Sequence, residues 1–425
     1  HMELDYTFIV IGSLAGVIGG MMPGVGMTVM MISAYPLLVS LEVEQIFQLY
    51  ISAILVSQFA GSIVATYFAI PGEMSSVPAI IEGHGMAKQG RANQAIFISA
   101  FGSFVGGIVT LLILLLFGGL LLKAFLHFNT VFNVFLVSLV FVFLFLLPTK
   151  NKMEKFLFPL AGFVLGLIGT TPHDNHNSWL TFGVRDLEAG IPLMGLMIGL
   201  YSLPLLTILH KNRIKETIKI TAFKFNQISI KLYQFGLSIF YAVYGFFLAF
   251  VPGVGLDVVS NTAHKMQEAV NKKFKLPDRM ENNLLAAETA NNSGALSIML
   301  PLLAFGLPTN TSQAILNNIL TDKNYLFGVL SFNQSFIDML LGIVVITSFL
   351  GFLLAGPLAS LLGLFFRKTE KFIYVALGIV LVLVTLYTGH NSLNLPVYLL
   401  TLLITFIIGM YLRNYNVLRI IYFFM

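Results

Sequence analysis

Four short proline motifs interrupt long apolar stretches of the chain, and each could expose backbone groups to a ligand. The motif Pro-Gly-Val-Gly at 23–26 recurs at 252–255, and each copy is followed about 50 residues later by a second break, Ile-Pro-Gly at 70–72 and Leu-Pro-Thr at 307–309. Such breaks are costly at membrane depth because they free backbone groups where water is scarce. They persist where half-helix N-termini hold an anion or unwound carbonyls hold a cation. The alternative is ordinary helix capping beside a kink.

Small hydroxyl and amide residues follow these breaks, and a second polar segment, 288–294 (Glu-Thr-Ala-Asn-Asn-Ser-Gly), leads into an apolar run. Hydroxyl and amide side chains cap helices well and can also bind a carboxylate. For 288–294 the alternative is a loop that caps a helix. The predicted substrate-binding residues are Pro23, Gly24, Gly26, Thr28, Pro71, Gly72, Ser75, Ser76, Pro252, Gly253, Gly255, Asn291, Asn292, Pro308, Thr309, Asn310, Thr311 and Ser312.

Two acidic residues accompany these segments and are candidates for ion coupling. Asp257 lies two residues past the second Pro-Gly-Val-Gly, and Glu288 opens the polar segment. Ionisable groups at membrane depth are functional by default. We therefore predict that Asp257, Glu288 and Asn261 serve a coupling ion. The alternatives are that Asp257 reaches the membrane interface and that Glu288 is a surface residue. Thr28 stands at the equivalent place in the first copy, so a cation site here is expected to be asymmetric.

Other chemistry has little support in the sequence. The chain has no cysteine, which excludes thiol nucleophiles and cysteine metal sites. The cluster at 173–176, His-Asp-Asn-His, could ligate zinc, but no third ligand cluster accompanies it and it is typical of an external loop. Phosphate-binding and nucleophile-elbow motifs are also missing. We therefore predict no enzyme, no catalytic residues, no structural metal and no cofactor other than Na⁺ as a possible coupling ion.

The elements that must position these residues are membrane helices. The chain has 425 residues, of which 57% are hydrophobic and 10% charged, whereas soluble domains carry about 25% charged residues. Charge-free stretches such as 45–72, 92–122 and 372–412 are long enough to cross a bilayer as helices. Nearly unbroken apolar sequence at 131–147 excludes the alternation of a β-barrel. The sequence predicts an all-α polytopic protein of the cytoplasmic (inner) membrane with about 10–12 transmembrane helices.

The net charge of +5 lies in short connections, which indicates membrane orientation rather than nucleic-acid binding. The side of the membrane on which the basic loop 265–279 lies stays open.

The two Pro-Gly-Val-Gly motifs lie 229 residues apart, and each is preceded by a glycine seven residues before its proline. This pattern predicts a duplication within a single membrane domain. The first repeat, 3–210, holds breaks at 23–26 and 71–72; the second, 211–425, holds breaks at 252–255 and 308–312. An even number of crossings per repeat would make the repeats parallel. We favour inverted repeats with discontinuous or re-entrant helices, since transporters with broken helices commonly use them.

At these residues the sequence resembles the large membrane subunit of tripartite tricarboxylate transporters, the TctA type. The resemblance rests on 16–38, 61–103, 181–200 and 252–316, with Glu-Thr-Ala-Asn-Asn at 288–292 as its most specific block. It implies carboxylate substrates, cation coupling, a small membrane subunit and a periplasmic solute-binding protein as partners. It also implies ligand residues at the two Pro-Gly pairs and the Asn-Asn segment. The chain departs from the family pattern at Pro308-Thr309 and at 82–85.

From these observations we expect secondary active transport of small organic anions, di- or tricarboxylates such as citrate, coupled to Na⁺ or H⁺ by alternating access. A membrane-embedded enzyme acting on a lipid-linked substrate and a passive anion channel are the alternatives. The enzyme would need acids or histidines clustered at one interface, and the channel a continuous polar stripe. The expected partners are the lipid bilayer, the carboxylate, the two further subunits and a second copy in a homodimer, without nucleic acid.

Overall fold

The computed structural model describes residues 4–22, 26–69, 72, 74–127, 138, 160, 164–169, 180–188, 190–192, 195–196, 198–211, 218, 220, 226, 228–251, 254–306, 308–327, 334–353, 356, 358–391 and 394–415. The chain divides into two compact units. One comprises His1–Met30, Leu41–Val140 and Ile214–Glu370, and the other Met31–Ser40, Phe141–Arg213 and Lys371–Met425.

The helices in chain order are α1 (Tyr6–Met21), α2 (Gly26–Leu38), α3 (Val43–Phe68), α4 (Ala92–His127), α5 (Leu203–Lys211), α6 (Leu232–Ala249), α7 (Leu256–Phe274), α8 (Arg279–Ser297), α9 (Met299–Phe305), α10 (Thr311–Asp322), α11 (Gln334–Leu353), α12 (Ala359–Asn391) and α13 (Leu395–Tyr415). Between α3 and α4, the 74–88 segment contains a 3₁₀ turn (Met74–Ser76), a π-helix (Ala79–His84) and an α-helical turn (Gly85–Lys88). A 3₁₀ turn (Arg185–Leu187) and a π-helix (Ile198–Ser202) precede α5. Every regular element in these ranges is helical, which confirms the predicted all-α class.

Five helices in the described ranges are long and apolar enough to cross a membrane. They are Val43–Phe68, Ala92–Gly118, Leu232–Ala249, Ser335–Leu353 and Lys371–His390. Shorter apolar helices cover Tyr6–Met21, Gly26–Leu38 and Leu395–Tyr411. These lengths match the roughly 20 residues that a helix needs to span the hydrocarbon core, so the chain is a multi-pass membrane protein.

Local sequence signals account for where α3 begins and ends. The backbone N–H of Glu42 donates to the Gln45 side chain, while the Glu42 side chain pairs with the backbone at the third helical position. This reciprocal arrangement satisfies donors that the first turn cannot pair by itself. The helix ends at Ala69, which has a φ of 53° and so adopts the left-handed conformation just before the Ile-Pro-Gly break. Because this conformation is unfavourable for a residue with a Cβ, the break starts with local strain.

Two helix pairs with matching contacts flank the two Pro-Gly-Val-Gly motifs. In the first pair, Gly16 of α1 lies against the backbone of Ala53 in α3, where an added Cβ would stand 3.0 Å from the Ala53 Cα. In the second pair, Gly245 of α6 lies against Ala290 of α8, with the corresponding distance at 2.7 Å. Both positions require glycine because the helix backbones touch.

The same two pairs touch again one turn further along. Gly20 of α1 contacts the backbone of Ser57 in α3. A Cβ added at Gly294 of α8 would lie 3.0 Å from the Cβ of Ala249 in α6. In both contacts the α6 residue lies 229 positions after its α1 counterpart, and the α8 residue 237 positions after its α3 counterpart. A duplication with eight extra residues between the paired helices has this register. The repeat boundaries and the inverted orientation stay predictions.

Helix α8 of the first unit is polar but almost entirely enclosed. Residues 281–297 of α8 are all buried, although they include Glu281, Glu288 and several asparagines. Helices α4, α6 and α7 pack around it, and α3 contacts it as well. A polar helix inside an apolar bundle must pair its side chains internally, because its neighbours offer little water. This requirement concentrates hydrogen bonds around α8.

In the second unit, the π-helix Ile198–Ser202 packs against α13. A Cβ added at Gly199 would overlap the Thr405 side chain, and one added at Gly409 would stand 2.7 Å from Pro204 Cγ. The Thr405 hydroxyl donates along its own helix to the Thr401 carbonyl oxygen at 2.6 Å. Small residues and an internally satisfied hydroxyl therefore let these helices approach closely.

Candidate functional site

Gly72, in the Ile-Pro-Gly break, packs closely against one glycine of α1 and one of α3. A Cβ added at Gly72 would overlap the carbonyl oxygen of Gly20 and lie 2.9 Å from the Cα of Gly61. Gly20 lies in the last turn of α1, just before the motif at 23–26, and Gly61 lies in α3. The Ile-Pro-Gly break is therefore folded back against the end of α1. Close backbone approach explains why glycine stands at this position.

The serines that follow this break join it to α7, the helix after the second Pro-Gly-Val-Gly. Ser75 Oγ donates to Gln58 Oε1 of α3 at 3.0 Å. Ser260 Oγ of α7 donates to the backbone carbonyl oxygen of Ser75 at 2.7 Å. Ser76 is buried, and its Oγ lies 2.9 Å from the Cβ position of Gly61. Segments that follow a break in each predicted repeat are thus in direct hydrogen-bonded contact.

The N-terminus of α10 follows the Leu-Pro-Thr break and is capped by its own side chains. Asn310 Oδ1 accepts from the backbone N–H of Gln313 at 2.9 Å. Gln313 Oε1 accepts from both the backbone N–H and the hydroxyl of Thr309, at 2.9 and 2.8 Å. Ser312 Oγ is 2.8 Å from the hydroxyl of Tyr50 in α3. A carboxylate that bound here would replace these side-chain oxygens as the acceptor.

Asp257 lies in the first turn of α7, two residues after the N-cap residue Gly255. Its carboxylate lies near the backbone N–H groups at the start of the helix, and the N–H of Val258 donates to the Gly255 carbonyl oxygen at 3.0 Å. Asn261 Nδ2 donates to the backbone carbonyl oxygen of Asp257 at 2.7 Å, one turn further on. The half-helix that begins after Gly255 therefore already has an anionic group at its positive end. The ion-coupling role of Asp257 and Asn261 stays a prediction.

Glu288, Asn291 and Asn292 lie in the middle of α8, not in a loop, so the alternative of a capping loop was wrong. Glu288 is 1% exposed, which also excludes a surface role for it. Its carboxyl group forms a hydrogen bond with Ser62 of α3. Asn292 Nδ2 donates to Ser103 Oγ of α4 at 2.7 Å. The sequence did not reveal that 288–294 is helical, because asparagine and serine are weak helix formers. Packing against the neighbouring helices overrides that weak preference.

A small cavity adjoins Asn292. Its volume is about 20 Å³, and its polar walls come from Asn292, Ser103, Thr347 and Ser348. A cavity of this size can hold a water molecule or a small ion. It is too small for a di- or tricarboxylate, so the substrate would need a different conformation to bind beside Asn292.

The remaining predicted residues are only partly placed. Gly26 and Thr28 lie in the first turn of α2, Pro308 is exposed, and Thr311 is the first residue of α10. Pro23, Gly24, Pro71, Pro252 and Gly253 lie outside the described residues, as does the His-Asp-Asn-His cluster at 173–176. Within the described ranges, no group of three or more His, Cys, Asp or Glu side chains could hold a metal ion.

The sequence prediction missed a buried hydrogen-bonded group formed by Glu82, His264, Gln267, Asn271 and Asn283. A local signal for part of it was available. Positions 260, 264, 267 and 271 of α7 are polar and fall at helical spacing on one face, a pattern that can indicate a buried polar stripe. The contacts with Glu82 and Asn283 had no such signal.

Comparison with known proteins gives a family. The chain is 24% identical over 314 residues to an uncharacterised 52.8 kDa protein in the TAR-I ttuC' 3' region of Agrobacterium vitis, which covers 72% of this chain and 61% of that protein. It is 23% identical over 264 residues to an uncharacterised protein of Methanocaldococcus jannaschii, which covers 59% of each. The chain thus spans about three fifths of the length of these curated relatives. No solved structure matches it. Residues 7–422 match the Tripartite tricarboxylate transporter TctA family, and the chain belongs to that family.

Proposed function

We propose that this chain transports small organic anions, di- or tricarboxylates, across the cytoplasmic membrane by alternating access. The observation that carries the proposal is the packing of the Ile-Pro-Gly break and the segment after it against α1, α3 and α7. Gly72 packs against Gly20 and Gly61, and Ser260 donates to the backbone of Ser75. Broken helices that meet inside a membrane bundle are the usual way for a transporter to present backbone dipoles to a charged substrate.

To bind at these helix N-termini, a substrate must replace the side chains that now lie there. Asn310 and Asp257 occupy the helix ends at which an anion would bind. A carboxylate that bound at the start of α10 would replace the Asn310 oxygen as the acceptor. An anion that bound at the start of α7 would be repelled by an ionised Asp257 unless a cation or a proton neutralised that carboxylate, which would link anion binding there to coupling-ion binding. Asn291, Asn292 and Ser312 supply the further amide and hydroxyl groups.

Coupling to Na⁺ or H⁺ is part of the same proposal. Glu288 is buried in α8 with a hydrogen bond to Ser62. Removing an ionised carboxylate from water is costly unless a cation or a proton accompanies it. Glu288, Asp257 and Asn261 are therefore the proposed ion-coupling residues.

The family to which the chain belongs implies two partners. We propose that the chain works as the large membrane subunit, with a small membrane subunit and a periplasmic solute-binding protein that delivers the carboxylate. A homodimer is a further proposal.

The test is uptake of labelled citrate and labelled succinate into proteoliposomes that contain the purified protein with its partner subunits. Accumulation against a concentration gradient, dependent on an imposed Na⁺ or pH gradient, is the expected result. Gly72→Ala should abolish uptake because its Cβ would collide with the Gly20 carbonyl, whereas Gly236→Ala, whose Cβ would meet nothing within 4 Å, should retain it. Equilibration without accumulation would indicate a channel, and full activity of Gly72→Ala would refute the proposed site.

A further inference from the structure

A buried polar stripe runs along one face of α7, from its start to its water-exposed end. It consists of Asp257, Ser260, His264, Gln267 and Asn271, at intervals of three or four residues. Ser260, His264, Gln267 and Asn271 are all buried. At 1.5 Å per residue this stripe is about 21 Å long, which is most of the thickness of a hydrocarbon core. Such a stripe needs polar partners on the neighbouring helices.

The partner of His264 is Glu82, from the π-helix of the 74–88 segment. His264 Nε2 lies 2.8 Å from Glu82 Oε1, and the two side chains are 9% and 10% exposed. Asn283 Nδ2 of α8 donates to the same oxygen at 2.8 Å. Two bare acceptors at this distance would repel each other, so the pair holds a proton between Nε2 and Oε1. π-helical turns are often retained at functional sites.

A chain of hydrogen bonds points at this carboxylate from the far side. Tyr241 OH donates to Gln267 Oε1 at 3.0 Å, and Gln267 Nε2 donates to Asn271 Oδ1 at 2.8 Å. Asn271 Nδ2 then donates to Asn283 Oδ1 at 2.7 Å, and Asn283 donates to Glu82. Every donor faces the next residue towards Glu82. Hydrogen bonds aligned in this way polarise one another, so the chain favours negative charge on the Glu82 oxygen.

The same network reaches the exposed end of the bundle. Asn282 Nδ2 donates to Asn271 Oδ1 at 3.2 Å, and Gln234 Nε2 donates to Asn282 Oδ1 at 3.1 Å. Tyr233 OH bridges Asn282 Oδ1 and Asp278 Oδ2 at 3.3 and 3.0 Å. Asp278 is partly exposed. A continuous set of polar groups therefore connects the buried pair to the partly exposed Asp278.

The other charged and titratable groups on the surrounding elements are engaged elsewhere. On the 74–88 segment, His84 Nδ1 pairs with the backbone carbonyl oxygen of Thr66 in α3. On α8, Glu281 forms an ion pair with Arg91, which directly precedes α4, and Glu288 pairs with Ser62 of α3.

On α7 itself, Glu268 forms an ion pair with Lys272 at 2.8 Å, and His264 also acts on Glu268 electrostatically. Lys265 is exposed. Asp257 lies in the first turn of the helix, and on α6 Tyr241 and Tyr233 belong to the network above. His264 is therefore a titratable side chain that contacts the Glu82 carboxylate directly, and a proton on His264 would balance the charge of Glu82.

We propose that the Glu82–His264 pair is a proton-binding site that couples proton movement to transport. The proposal rests on the transport function proposed above and assigns a proton to its coupling. A proton from water adds to His264 Nδ1 and converts the imidazole to imidazolium, with no other bond made or broken. The loaded pair is neutral overall, and the unloaded pair carries one buried negative charge.

This change of charge acts on the contact between the two predicted repeats. Glu82 belongs to the broken segment of the first repeat, and His264 and Asn283 belong to α7 and α8 of the second. The loaded pair attracts the 74–88 segment to α7, because opposite charges interact strongly away from water. Loss of the proton weakens this attraction and leaves an uncompensated buried carboxylate, which favours separation or hydration. The proton thereby biases which conformation the broken segment adopts.

The transport test uses labelled citrate and labelled succinate with the membrane potential clamped at zero. For one coupled proton, an inward gradient of about one pH unit should raise accumulation about tenfold. His264→Gln and Glu82→Gln should lose this stimulation but keep exchange of internal for external substrate. His84→Gln, a buried histidine on the same segment as Glu82, should keep the stimulation. If His264→Gln is still driven by the pH gradient, or if the wild-type protein responds to Na⁺ alone, the proposal is wrong.

A second measurement does not depend on transport. The imidazole ¹³C resonance of His264 in the wild-type protein, identified by its loss in His264→Gln, is followed from about pH 5 to 9. The expected result is a titration that shifts in Glu82→Gln and does not shift in His84→Gln. A resonance that does not titrate in this range overturns the proposal even if transport is found. If citrate and succinate are not transported but the titration is present, the transport function fails while the proton site stands.

Discussion

The contact between α6 and α8 can be tested with two glycines of the same helix. Replacing Gly245 by Ala would place a Cβ 2.7 Å from the Ala290 Cα and 2.8 Å from its carbonyl carbon, so the two helices would have to separate. Overpacking of this kind typically costs about 1–3 kcal/mol. Alanine also favours a helix over glycine by about 1 kcal/mol, which partly offsets that cost. Gly236→Ala receives the same helical gain and meets nothing within 4 Å.

The two variants should therefore differ by the packing cost alone, about 1–3 kcal/mol, with Gly245→Ala the less stable. Thermal unfolding in detergent, followed by circular dichroism, should show Gly236→Ala at or above the wild-type Tm. Gly245→Ala should melt several degrees below Gly236→Ala, at about 2–4 °C per kcal/mol or less for a chain of this size. Gly16→Ala should behave like Gly245→Ala because it meets Ala53 in the same way. If Gly245→Ala is as stable as Gly236→Ala, the helices do not approach as described.

Three further predictions concern single side chains. Asn310→Ala removes the cap of α10 and should lower stability by about 1 kcal/mol, seen as a lower Tm; an unchanged Tm would show that the cap is not formed. The hydrogen-bonded Lys231 ammonium holds the pKa of Asp278 below its usual range. The pair therefore stabilises the folded protein fully above the unfolded pKa of about 4, and this stabilisation is lost as the pH falls through the lower folded pKa. Asp278→Asn should therefore flatten that part of the acid dependence of Tm, and an unaltered profile would contradict the pairing. Glu288→Gln keeps a polar partner for Ser62 and should bind substrate in a thermal-shift assay but lose ion-driven accumulation; normal accumulation would exclude Glu288 as a coupling group.

The Asn310 cap and the small cavity describe one conformation of the proposed cycle. Asn310 caps the start of α10, and the cavity beside Asn292 holds no more than a water or a small ion. Under the proposed transport cycle, substrate binding at these places requires the cap at Asn310 to open and the cavity to widen.

Much of the fold was predictable because it depends on averaged or local properties. Low charge and long apolar stretches predict membrane helices, and the structure describes such helices over Val43–Phe68 and Ala92–Gly118. The paired glycines before each Pro-Gly-Val-Gly were visible at a fixed spacing, and Gly16 and Gly245 indeed make equivalent contacts. The secondary structure of the polar segment 288–294 was harder to predict, because its composition suits a loop as well as a helix. Its helical state is imposed by the surrounding helices, which the local sequence does not reveal.

The sequence by itself determined the membrane class, the places where helices break and the family, because each depends on residue composition or on short motifs. Only the tertiary structure decided that Gly72 packs against α1 and α3, that α8 is buried, and that Glu82 faces His264 across 182 residues of chain. Those contacts depend on how helices pack in three dimensions. Many pairings of similar apolar helices are compatible with one hydrophobic pattern, and the choice among them is made by close backbone contacts and by the need to pair every buried polar group.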